Sequence, residues 1–193
     1  MSVMPLERIA RAYRDPFALI SLAVAVFPLF GLVFLGWGAD EIVILYWIEN
    51  LVIGLGVFAR LAVLGFVPGK REAFFLAPFF AVHYGLFCTV HGVFLFGMFE
   101  GDFSALPPFV VLLLAWEAVL FVRLFLMRSA WRNAEPGQLM FEPYGRVVVV
   151  HLGIFAAAFA GEALGAPLAG ALAIIVLRAL WDVFLSLRRF RTV

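Results

Sequence analysis

The chain has 193 residues, 65% of them hydrophobic and only 14% charged, with a formal net charge of +1. A soluble domain carries roughly 25% charged residues, so an ordinary soluble fold is excluded, and the net charge gives no reason to expect a nucleic-acid partner. At about 20 apolar residues per membrane-crossing helix, the composition suffices for roughly six crossings. The expected class is an all-α polytopic bundle forming one transmembrane domain over 1–193, with any chemistry confined to the bundle or its short loops.

In chain order, residues 1–16 form a short basic segment. Leu6, Ile9, Tyr13 and Phe17 fall at helical spacing opposite Arg8, Arg11 and Arg14, which suits either an amphipathic helix on the anionic inner leaflet or a solvated terminus. The first apolar run is too long for a cleavable signal and is expected to remain as a span. Runs bounded by charge, Pro or Gly place six helices at 17–36, 41–66, 74–99, 107–128, 146–164 and 167–190. A strand reading fails because the runs are long and an unclosed sheet would leave unpaired backbone groups in lipid. The single cysteine, Cys88, lies inside an apolar run and can form no intrachain disulfide.

Orientation follows from where the cations lie. Eleven of the fourteen, from Arg8, Arg11 and Arg14 through Lys70, Arg71, Arg128, Arg132 and Arg146 to the tail arginines, fall on one side of the expected bundle. The opposite loops, around Asp40–Glu41, Glu100–Asp102 and Gly165, contain no Lys or Arg. By the positive-inside rule both termini face the cytoplasm, and the expected location is the cytoplasmic (inner) membrane of a bacterium or archaeon. Arg60, Arg123 and Arg178 lie in the cytoplasmic halves of their helices, the first two placed to snorkel, while Trp37, Tyr13, Trp131 and Tyr144 suit interfacial belts. Gly153, Ala157, Gly161 and Gly165 recur every four residues on the fifth span. This small-residue stripe allows close packing within the bundle or a homo-oligomer contact.

The loops leave Glu49, His83, His91, Glu117, His151, Glu162, Arg178 and Asp182 inside spans. A charge at mid-membrane costs about 2.5–3.5 kcal/mol even on lenient scales, so these groups should face the interior and meet partners. Counting from helix ends puts His83, His151 and Asp182 in an inner layer, and Glu49, His91 and Glu117 in an outer one. His83 and His91 are eight residues apart, about 12 Å, too far to share one ion. Arg178 has Glu117 and Asp182 as candidate acids.

Three readings follow. In the first, His83, His91, His151, Asp182 and Glu49 supply ligands to a divalent transition metal, zinc being the expected ion, with an open position for water. Glu49 would then be the base of a hydrolase acting on a lipid-soluble substrate, with Asn50, Tyr84, Arg146, Arg178 and Glu117 in support. In the second, the same acids and histidines form a relay for transported protons or cations. In the third, they are buried pairs that fix helix packing.

The motifs YWIEN at Tyr46–Asn50, FFAVHYGLFCTVHGVF at Phe79–Phe94, PYGRVVVVHL at Pro143–Leu152 and LRALWDV at Leu177–Val183 run through most of the chain. On these the sequence resembles a prokaryotic integral membrane family, the domain of unknown function 6498 family. The resemblance implies that Glu49, Asn50, His83, Tyr84, His91, Arg146, His151 and Asp182 are motif positions, that Arg178 is a position often held by lysine, and that Glu117 and Glu162 lie outside the pattern. It brings no activity with it. The topology is checked by a reporter active only outside the cytoplasm: it should work when inserted near Gly101 and be silent at the C-terminus, and the reverse would overturn the orientation.

Overall fold

The computed structural model describes residues 16–98, 103–148, 151–152, 172–173 and 175–181. Helix α1 is Pro16–Phe34, α2 is Ala39–Gly65, α3 is Ala73–Met98, and α4 is Pro107–Leu120, continued by a π-helical stretch Phe121–Met127. A short helix α5, Pro136–Phe141, follows a 3₁₀ turn at Ala130–Arg132. No strand occurs among the described residues. Four helices are long and apolar enough to cross a membrane, and they match the first four expected spans to within about two residues at each end. The fifth and sixth expected spans lie for the most part outside the described residues. So do the basic segment before Pro16, the Gly153–Gly165 stripe, Glu162, Asp182 and the tail arginines.

Two compact units make up the chain, Met1–Ile42 with Val149–Val193, and Val43–Val148. In the first, α1 ends in a turn where Gly36, at φ +71°, adopts the left-handed conformation open to glycine. The turn lets the backbone N–H groups of Leu35 and Trp37 both reach the Gly31 carbonyl, at 3.0 and 3.1 Å. It also folds the Trp37 indole onto Gly31, where a Cβ would collide with the ring, and edge-on to Phe27. Trp37 is therefore buried: the missing side chain at Gly31 opens a slot for it. At the start of α2, Glu41 accepts a hydrogen bond from the Gly38 N–H at 2.8 Å, which satisfies one of the unpaired donors at the helix start.

In the second unit α2 is the most enclosed of the long helices. It is tied to α3 by the Trp47 indole N–H donating to the Cys88 carbonyl at 2.9 Å and by Tyr84 donating to the Asn50 carbonyl at 3.1 Å. Outward-facing Phe75, Val82, Leu86, Val93 and Phe94 leave α3 with an apolar exterior, the surface a helix presents to lipid. Lys70, between α2 and α3, donates to the Trp131 and Arg132 carbonyls at 3.2 and 2.9 Å and also to that of Ala134. The loops 66–72 and 128–135 thus lie on the same side of this unit.

The segment 136–148 departs from expectation. Composition makes it the end of a cytoplasmic loop with a span beginning at 146, yet its apolar residues sink into the helices. Leu139 packs on Leu64, Ala73 and Phe125 near the helix ends, while Met140 and Val147 join a deeper core of Val57, Leu61, Ala77, Phe80, Tyr84 and Cys88. Pro136 and Pro143 are fully buried, and Tyr144 sits edge-on to Tyr84. The cause is local: Pro143 has no N–H to give the Leu139 carbonyl, which instead accepts from Glu142 at 3.3 Å, so α5 stops and helix resumes at 144–148. Together these pieces make a helix interrupted at Glu142–Pro143 and inserted from the Lys70 side. Replacing Lys70 with Met should remove the tie at its root; a loss of about 2 kcal/mol, a fall in melting temperature of roughly 4–8 °C and faster trypsin cleavage after Arg128 and Arg132 are expected. An unchanged melting profile would show that the inserted segment holds without it.

Candidate functional site

Charge enters the second unit from three elements. Helix α2 carries Glu49 and, eleven residues on, nearly on the same face, Arg60. Glu117 projects from α4, and the inserted segment supplies Arg146, three residues past the Pro143 break. Glu49 is buried and its Oε1 lies 3.5 Å from Arg146 Nη1, joining residues 97 positions apart. Arg60 Nη2 donates to Glu117 Oε1 in a close ion pair. Glu117 also lies within electrostatic reach of Arg146 and Glu142.

These pairs are possible because α2 is narrow where they form. A Cβ on Gly56 would overlap the Glu117 carboxylate, and one on Gly54 would overlap the Tyr84 ring. Gly54 and Gly56 therefore let α4 and α3 bring a carboxylate and a phenol against the backbone of α2. Tyr84 in turn is stacked on Phe80 and borders Tyr144, so the polar groups have an aromatic wall.

The histidines are placed differently. His91 is half-buried; its Nδ1–H donates to the Phe87 carbonyl at 2.8 Å, and the ring lies 4.3 Å from that of Phe87. His83 is exposed; it stacks parallel on Phe79 at 5.6 Å and borders Tyr144 at 6.1 Å. His151 is half-buried and Arg178 is buried, both in the other unit, while Asp182 lies outside the described residues. Among the described residues no group of three or more His, Cys, Asp or Glu comes together as an ion-binding set.

The expected layering by depth does not hold in this unit. Asn50, next to an outer-layer residue, accepts from Tyr84, the neighbour of an inner-layer one. Arg146, expected at the cytoplasmic surface, meets Glu49, and Arg60, expected to snorkel, meets Glu117. Helices of 26 and 27 residues exceed the roughly 20 that a bilayer needs, so counting from their ends misjudges depth. Tyr144 is half-buried and lies edge-on to Tyr84. The glycines of the second helix, Gly54 and Gly56, were the sequence signal for these close approaches; the partner of each charge had none.

The profile of the Family of unknown function (DUF6498) matches residues 7–192. The chain belongs to that family. The match takes in every element of the site, from Glu49 and Arg60 to Glu117 and Arg146. No curated protein and no solved structure matches the chain. Family membership therefore adds no reaction, and the reading of the site rests on its chemistry.

The Arg60–Glu117 pair is half-buried; breaking one member leaves the other charge poorly compensated, at a cost of about 2 kcal/mol, whereas removing both is milder. Arg60→Met should accordingly lower the melting temperature by several degrees, and Arg60→Met with Glu117→Leu should recover most of the loss. Equal losses in the single and double variants would mean that the pair does not form in the membrane.

Proposed function

We propose that the chain is a six-span protein of the cytoplasmic membrane, with both termini cytoplasmic, that couples proton or cation movement to transport of a small solute through the Glu49–Arg146 site. The observation that carries this reading is an arginine delivered by an interrupted helix to a carboxylate in the middle of a span. From Leu64, beside Leu139, to Glu49, beside Arg146, α2 runs fifteen residues, about 22 Å, so the inserted segment carries its arginine deep into the unit. Helices broken at such depth and intramembrane ion pairs are features of transport sites, where unwound backbone and exchangeable charges face the cargo. The 3.5 Å contact is long for a charge-assisted hydrogen bond, which suits a pair that opens when the carboxylate takes up a proton or a cation.

The metal-dependent hydrolase expected from the histidines draws less support. Zinc with an open catalytic position needs three convergent protein ligands, and the described residues offer none. Glu49, its proposed base, faces a guanidinium. Two measurements separate the readings. Protein purified without chelator should hold less than about 0.2 metal per chain by elemental analysis, and reconstituted vesicles should show valinomycin-driven proton uptake that Glu49→Gln reduces at least about tenfold. Stoichiometric zinc that His91→Ala removes, with no proton uptake, would overturn the transport reading in favour of the metal centre.

A further inference from the structure

A row of rings runs along the outside of α3 and onto the inserted segment. Phe75, Phe79 and His83 stand four residues apart on one face of α3, and their rings stack in sequence, 6.0 Å apart at 18° and then 5.6 Å apart at 5°. Tyr144 continues the row 6.1 Å from His83, and Phe141 follows Tyr144 at 5.7 Å. Phe141 and Tyr144 flank the break at Glu142–Pro143. Phe75 is 71% exposed, Phe79 45% and Phe141 63%, and His83 is exposed with them.

Two of the five rings are polar, and they are neighbours. A neutral imidazole offers an N–H donor and a nitrogen acceptor, and a phenol offers an O–H. Among the described residues neither side chain makes a hydrogen bond. His83 stands ten residues from the first residue of α3 and fifteen from the last, so about 15 Å of helix or more separates it from either end. So short a side chain cannot snorkel that far. In a membrane-crossing α3 the ring looks onto acyl chains, where an unmet polar group carries its full desolvation cost. Lipid accounts for the outward-facing Val82 and Leu86 but not for an imidazole beside a phenol.

We infer that this row is a binding site for a quinone, a flat lipid-soluble ring that reaches the protein from the bilayer. The quinone ring extends the stack of Phe75, Phe79 and His83. Its carbonyl oxygens accept from the His83 N–H and the Tyr144 O–H, and its tail lies against the apolar exterior of α3. The hydrogen bonds choose a quinone over an acyl chain, which would cover the same face without meeting either donor. The inference rests on α3 crossing the membrane and is independent of the Glu49–Arg146 reading.

The test is equilibrium binding of decylubiquinone to the full-length protein in nanodiscs, read as the saturable excess over empty nanodiscs. Saturation is expected at about one quinone per chain. His83→Leu and Tyr144→Phe keep apolar bulk and remove one donor each, so each should weaken binding at least about fivefold, while His83→Gln, which keeps a donor, should lose less. Both donor-removing variants should melt within about 2 °C of the parent, since His83 is exposed and Tyr144 keeps its ring, which separates weaker binding from lost folding. Decylbenzene, which has a tail and a ring but no oxygen, should not compete. Unchanged affinity in His83→Leu and Tyr144→Phe, or competition by decylbenzene, would overturn the site and leave only an apolar face. Retention no greater than in empty nanodiscs would overturn it as well, as when the fifth or sixth span covers the row. Quinone binding by a protein that shows no proton uptake would leave this site standing and overturn only the transport reading.

Discussion

A charge on a long apolar helix needs an opposite charge beside it, and in this protein that requirement shapes the described core of the second unit. Arg60, Glu117 and Arg146 are half-buried and Glu49 is buried, and each lies against an opposite charge. Each finds its partner on another element, so the ion pairs act as registration points between α2, α4 and the inserted segment. Glycine at 54 and 56 makes the approach possible, and the tie from Lys70 to three loop carbonyls holds the segment that brings Arg146 in. The apolar packing of Met140, Val147 and Leu61 follows the same path.

Such a core differs from that of a soluble protein in what supplies specificity. In lipid, burying another leucine gains little over leaving it against an acyl chain, so van der Waals fit and polar contacts decide which helices pair. The second unit shows both means. Trp47 lies over Gly92 and donates to the Cys88 carbonyl, and Tyr84 lies over Gly54 and donates to the Asn50 carbonyl. A large ring on a glycine, with one hydrogen bond to a helix carbonyl, occurs at two levels of the same helix pair. These contacts tie α2 to α3, while the interrupted helix meets Glu49 through Arg146 at 3.5 Å.

The π-helical stretch at Phe121–Met127 belongs to this picture. It begins four residues after Glu117 and ends at Met127, two residues before Ser129, whose φ of +56° turns the chain towards the loop held by Lys70. Wider turns of this kind are uncommon and are found where a helix must serve a polar site instead of only packing. Here the stretch carries Phe121 and Phe125, stacked on one another, against Leu64 and Ala73 while Glu117 keeps its place on Gly56.

Fold class and the four described spans were legible from composition and run length alone, since about 20 apolar residues in a row have no other stable home and lipid admits only helices or closed barrels. The identity of the costly residues was legible too: Glu49, Arg60, Glu117 and Arg146 stand out against apolar filler. Their pairing was not. In so uniformly apolar a chain, periodicity does not mark which face turns inward, and counting from helix ends gave Glu49 and Arg146 different depths. Residues 136–148 look like a loop because they hold two prolines, a glycine pair and four polar or charged side chains. Only the three-dimensional arrangement shows them as an inserted helix, because the groove of α2 and α3 that accepts Met140, Tyr144 and Val147 exists only once those helices have packed. The sequence alone could say that charges lie within long apolar runs. Which cation answers which acid was decided by contacts between residues 57 and 97 positions apart.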